Sequence, residues 1–132
     1  MKNKVYSVSR KEMLYIREVL QKDDSIFIAD INGSDIRNLQ DYLNAVNILF
    51  KFPIPARGLD GYLDWIRDLD WIKKDGFALI INDFGKFMVS DLNMKNEIIS
   101  DLEIVVLPWW ETEVEKYVAE GKTKLFIVFL VD

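Results

Sequence analysis

Three short runs constrain this chain more than anything else in it: Ile26-Phe27-Ile28-Ala29-Asp30-Ile31, Phe77-Ala78-Leu79-Ile80-Ile81 and Lys124-Leu125-Phe126-Ile127-Val128-Phe129-Leu130-Val131. None alternates apolar with polar residues, as a strand with one wet face would. Near-continuous apolar strands belong to sheets covered on both faces, which means a parallel sheet with helices packed on it. The first run stops at Asn32-Gly33, a turn signal. The segments between the runs have helical period. The expected architecture is therefore α/β: a small, three- to four-stranded parallel sheet flanked by helices and joined by right-handed crossovers.

Helix signals fill the gaps. Ser9-Arg10-Lys11-Glu12 has capping-box spacing, and Met13, Ile16, Val19 and Leu20 follow at helical intervals, which predicts a helix over residues 10–21. Val5-Tyr6-Ser7-Val8, just before it, reads as a short edge strand. Leu39, Tyr42, Leu43, Val46 and Phe50 predict a second helix, closed by Pro53-Ile54-Pro55. A third spans about residues 59–69. Residues 95–120 read as mostly helical with a break or kink at Pro108, although Ile104-Val105-Val106-Leu107 also fits a strand. No repeat, low-complexity tract or flexible linker interrupts the chain, so one domain over residues 1–132 is expected.

Composition narrows the chemistry. The chain has no His and no Cys, which removes imidazole bases, thiolate nucleophiles, disulfides and the usual zinc sites. Carboxylates, Lys and Tyr remain. No stretch of about 18 apolar residues exists, so no membrane helix is expected. The basic start Met1-Lys2-Asn3-Lys4 is followed by Ser7, Ser9, Arg10, Lys11 and Glu12, which is no secretion signal, and a cytoplasmic location is expected. A net charge of −5 speaks against direct nucleic-acid binding and suits either solubility or a basic partner.

The third helix carries the functional question. At about 100° per residue, Leu59, Tyr62, Leu63, Ile66 and Leu69 gather on a core-facing side. Asp60, Asp64 and Asp68 fall at i, i+4 and i+8 in one row on the other. Like charges at that spacing each cost a few tenths of a kcal/mol, and Asp is a poor helix-interior residue. The row is either a solvated acidic face, with Arg67 partly compensating Asp64, or a set of carboxylates held for a cationic partner. The segment from Arg57 to Asp75 sums to only −1, which leaves both readings open. Trp71, Trp109 and Trp110 read as core or helix-packing residues, and Trp65 lies at the edge between the two faces.

The string Leu59-Asp60-Gly61-Tyr62-Leu63-Asp64-Trp65-Ile66-Arg67-Asp68-Leu69-Asp70-Trp71 resembles the signature helix of barstar-like proteins. Ile28-Ala29-Asp30-Ile31-Asn32-Gly33 resembles that family's first strand and turn, Phe52-Pro53 its entry to the binding loop, and Gly121 with the strand from Phe126 its close. The resemblance implies a barstar-like core at residues 25–132, with residues 1–24 as a strand–helix extension and the first long strand in the middle of the sheet. It implies a monomeric inhibitor or immunity protein, not an enzyme, that covers the active site of a basic ribonuclease or nuclease toxin. Asp60 and Asp64 match the family's two helix carboxylates. The implied partner surface comprises Asp60, Asp64 and Asp68, with Leu63 and Arg67 on the same helix and Arg57 and Gly58 at its entry.

The loop Pro53-Ile54-Pro55-Ala56-Arg57-Gly58 is one residue shorter than the family pattern and lacks its two aromatics and its Asn. Where the family offers an acidic residue from the last helix, this chain has Glu115 or Lys116. Three alternatives stand beside the inhibitor: a barstar-like module for another basic protein, a magnesium-dependent enzyme using Asp60, Asp64 and Asp83, and a flavodoxin-like small-molecule binder. No phosphate-binding glycine loop supports the last two, and no cofactor or metal is expected.

Overall fold

A computed structural model describes residues 1–132. Four parallel strands, β1 (Val5–Val8), β2 (Ile26–Asn32), β3 (Gly76–Asn82) and β4 (Leu125–Val131), form one sheet in the order β1-β4-β3-β2. Its register sets Phe77 beside both Phe27 and Phe126, and Val5 beside Val128. The expected parallel α/β sheet is what forms.

The first long strand is not in the middle, however. Strand β2 lies at an edge, Ile28 is only half-buried there, and β3 and β4 take the centre. The side chains explain the order. Residues 76–81 and 126–131 are buried throughout, whereas Asp30 and Asn32 of β2 are exposed. A central position would strip water from a carboxylate. At the edge Asp30 instead receives two hydrogen bonds from Arg17, at 2.6 and 2.8 Å, and a third from Asn82 at 3.1 Å. Burial works to raise the Asp30 carboxyl, but these bonds and the Arg17 charge outweigh it and hold it low.

Helix α1 (Arg10–Gln21) begins at the expected capping box: Ser9 Oγ accepts from the Glu12 N–H, and Glu12 accepts from the Ser9 N–H. It packs alone on one face of the sheet. Met13 and Leu20 meet Ala78, Ile80, Ile127, Phe129 and Val131 there. The opposite face carries the larger core, built by α2 (Leu39–Leu49), α3 (Leu59–Ile66) and the last helical segment.

That last segment stays helical across Pro108. Helix α4 (Leu92–Asp101) runs through π turns at Leu102–Val106 and Trp109–Glu113 into α5 (Val114–Tyr117). Proline clashes with the carbonyl four residues before it. Widened turns on either side absorb the misfit, with the Leu107 N–H reaching Leu102 O and the Val114 N–H reaching Trp109 O. The strand reading of residues 104–107 is thereby excluded. No helix is long and apolar enough to cross a membrane.

Candidate partner-binding surface

Helix α3 is shorter than its apolar period suggests. It ends at Ile66, with Arg67 as its C-cap, because Leu69 turns into the core, fully buried, with φ of 51°. The N–H groups of Asp68 and Leu69 both reach back to Trp65 O, at 3.0 and 3.2 Å. Asp68 therefore lies in the turn, where its carboxylate accepts the Asp70 N–H at 3.2 Å. The acidic row is two helical carboxylates, Asp60 and Asp64, followed by a turn carrying two more.

Tyr62 and Ile66 anchor α3 in the core with no measurable exposure, while Leu63 is half-buried against it. Asp60 is exposed, and the Asp64 side chain is 77% exposed. Asp64 meets only Arg67, at a long 3.4 Å, a contact of little energetic weight at the surface. Arg67 is committed elsewhere: its Nε donates to Leu63 O at 3.0 Å and its guanidinium lies over the Trp109 ring.

The loop before α3 is pinned by a residue that the sequence pattern did not single out. Asn47 of α2 accepts the Ala56 N–H at 2.8 Å and donates to Ala56 O at 3.2 Å. Phe52 is buried below, against Trp65 and Trp71, and Trp71 donates to Phe50 O at 2.8 Å. Above this support lies an open hollow of about 680 Å³, walled by Ile54, Pro55, Arg57, Gly58, Asp60 and Trp65. Asn47→Ala leaves both Ala56 groups without a partner, so a stability loss of about 1–3 kcal/mol is expected in denaturant unfolding.

The seven residues implied for the surface thus divide. Arg57, Gly58 and Asp60 border the hollow, Leu63 and Asp64 lie along the helix, and Arg67 and Asp68 line a second hollow at its far end. Glu115 and Lys116 are both exposed on α5. Asp83 sits apart, paired with Arg10 of α1, and no three acidic side chains come together as a metal site.

A family model described as Barstar (barnase inhibitor) matches residues 26–129. The chain belongs to the barstar family. No curated protein and no solved structure matches it significantly. The matched region holds β2 through most of β4, including α3 and both hollows, and it leaves β1 and α1 outside. Within this barstar-family core the loop has no aromatic ring of its own, and its hollow borrows one from Trp65 on α3.

Behind α3 the core holds a polar spot. The hydroxyls of Tyr42 and Tyr62 are 2.7 Å apart and fully buried. Asp101 of α4 is also buried, and no cation pairs with it. Burial first, then the Glu97 charge one turn away, raises the Asp101 carboxyl above its usual 3.8. Burial and the Asp101 charge both push the two phenols up. The folded state thus holds the Asp101 proton more tightly than the unfolded chain does. Its contribution is fully present below pH 3.8 and is lost as pH rises through the raised value. Asp101→Asn is expected to raise the melting temperature at neutral pH and to remove this acid-side gain. The check is a set of melts from pH 3.5 to 7.5 on both proteins, with Glu97, Tyr42 and Tyr62 unchanged.

Proposed function

We propose that the protein inhibits a basic ribonuclease by laying α3 across its active site. It acts as a cytoplasmic, monomeric, single-domain binding protein rather than as an enzyme. The observation that supports this most directly is the state of Asp60 and Asp64: both exposed on α3, inside the region that matches a barnase-inhibitor family, Asp60 in no ion pair and Asp64 touching only Arg67 at 3.4 Å. A nuclease site is cationic because it binds phosphate. Carboxylates on a preorganised helix can take the phosphate's place through charge-assisted hydrogen bonds from Arg or Lys. Asp60, Asp64 and Asp68 would supply the charge, with Leu63 and Arg67 beside them and Arg57 and Gly58 at the loop edge.

The test is an inhibition assay against barnase and against any basic ribonuclease encoded beside this protein. Stoichiometric inhibition of either supports the proposal, and indifference of both refutes it. Where inhibition occurs, association is expected to slow markedly as salt rises from 10 to 500 mM, a range that shrinks the Debye length from about 30 Å to under 5 Å. Stopped-flow rates that ignore salt would exclude electrostatic steering. A second reading is favoured by the loop, which lacks aromatics, and by Lys116. On that reading the same surface serves a basic protein other than a ribonuclease.

A further inference from the structure

Arg67 sits one turn after Asp64 and is its only ion-pair partner, so the placing of this arginine decides how free that carboxylate is. A guanidinium at i+3 can fork onto a helix carboxylate with two short hydrogen bonds. It does not do so here. Arg67 Nη2 approaches Asp64 Oδ1 at 3.4 Å, while Nε donates to Leu63 O at 3.0 Å and the guanidinium carbon lies 5.6 Å from the centre of the Trp109 ring. The Arg67 side chain is 33% exposed and that of Asp64 77%. A cation partly withdrawn from water gains more from a ring face than an exposed one does, whereas a pair with so exposed a carboxylate is weakened by solvent.

Trp109 is not what packing alone would choose. It opens the π turn after Pro108, and Tyr117 stacks on it with ring centres 6.2 Å apart and planes 10° from parallel, which fixes the ring. Yet its indole N–H is buried and finds no acceptor in the protein. A buried donor without a partner costs stability that Phe or Leu at the same place would not. What the indole offers against that cost is the best cation-binding face among the aromatic side chains, and Arg67 lies over it.

We propose that Trp109 is a positioning residue for partner binding: its ring holds Arg67 back from Asp64 and so keeps that carboxylate open to a cation of the partner. The consequence for the partner rests on the binding role proposed above for Asp64; the hold of Trp109 on Arg67 does not. Without the ring, Arg67 forks onto Asp64. A basic partner then has to break that pair, and meets the arginine's own charge, before it can seat the carboxylate.

The first test reads the Arg67 Nε–Hε resonance in the full ¹⁵N-labelled chain with no partner present. Asp64→Asn is expected to move it little in the parent and several-fold further in Trp109→Leu, where the guanidinium has gone over to the carboxylate. Trp109→Phe keeps a ring face and is expected to behave as the parent. Melting curves confirm that each variant is folded, and Trp109→Met gives the same comparison as Trp109→Leu with an unbranched side chain. Against the inhibited ribonuclease, Trp109→Leu is expected to weaken affinity about threefold to fivefold, the worth of an exposed ion pair that the partner must now break. Trp109→Phe is expected to restore it. In an Arg67→Gln background the same Trp109→Leu change is expected to have no further effect, because the cation it would release is gone. Equal weakening in both backgrounds would mark Trp109 as merely structural and overturn the proposal. An Arg67 resonance that responds to Asp64→Asn equally with and without the ring also overturns it. A ring-dependent resonance without inhibition of any ribonuclease upholds the hold on Arg67 and counts against the inhibitor reading alone.

Discussion

Asp64→Ala is expected to leave the free protein as stable as before, or more stable by about a few tenths of a kcal/mol, while weakening partner binding by about 3–5 kcal/mol. In the free protein Asp64 does little that helps the fold. It repels Asp60 one turn earlier, its side chain is 77% exposed, and its only contact is the 3.4 Å approach to Arg67. Alanine is also the better helix former. In a complex the balance reverses. A carboxylate seated in a desolvated cationic pocket leaves the partner's charges unpaired when it is removed, and that penalty is much larger than any surface interaction. Asp68 no longer contributes to the repulsion, because it has left the helix, so the stability gain is smaller than a three-member row would give. Thermal melting beside titration calorimetry against the inhibited ribonuclease separates the two effects. Lower stability with unchanged affinity would assign Asp64 a structural role and move the binding surface elsewhere.

The parts of this arrangement that were legible in the sequence are those governed by local physics. The capping box at Ser9 and Glu12, the apolar runs of β3 and β4 and the turn at Asn32-Gly33 each announce themselves within a few residues. Strand order does not, because it depends on which strand can tolerate a dry flank on both sides. Asp30 was visible inside the first run, but only its pairing with Arg17 shows why that strand is an edge. The length of α3 is hidden from the sequence for a similar reason. Leu69 keeps the apolar period, yet it reaches the core by leaving the helix with positive φ rather than by continuing it. Pro108 reads as a break or kink within a helical segment, and nothing local reveals that π turns can absorb it.

The candidate surface divides along the same line. Asp60 and Asp64 were legible as charge spacing and family pattern. Asn47 was not: its side chain reaches a loop nine residues away, and an Asn within a helix otherwise reads as a solvated position.

Removing residues 1–24 is expected to cost the fold more than any surface substitution. The family match begins at residue 26, so the preceding strand and helix could be taken for an appendage. Their packing says otherwise. Strand β1 pairs along the whole of its length with β4, and α1 is the one helix on its face of the sheet, with Met13 and Leu20 at 3% and 1% exposure. Without them Ala78, Ile80, Ile127, Phe129 and Val131 would face water, and β4 would become a bare apolar edge open to intermolecular pairing. Each large side chain so uncovered forfeits about 1.5–3 kcal/mol, which over several residues approaches the whole stability of a domain this size. The truncated chain is therefore expected to aggregate or to unfold without a cooperative transition, even though it retains α3 and the loop. Leu20→Ala is the milder version, with an expected loss of about 2–5 kcal/mol in denaturant unfolding and unchanged inhibitory binding at low temperature, because α1 and α3 lie on opposite faces of the sheet. A fragment from residue 25 onward that melts cooperatively at the full-length temperature would show that the family core closes its own back face.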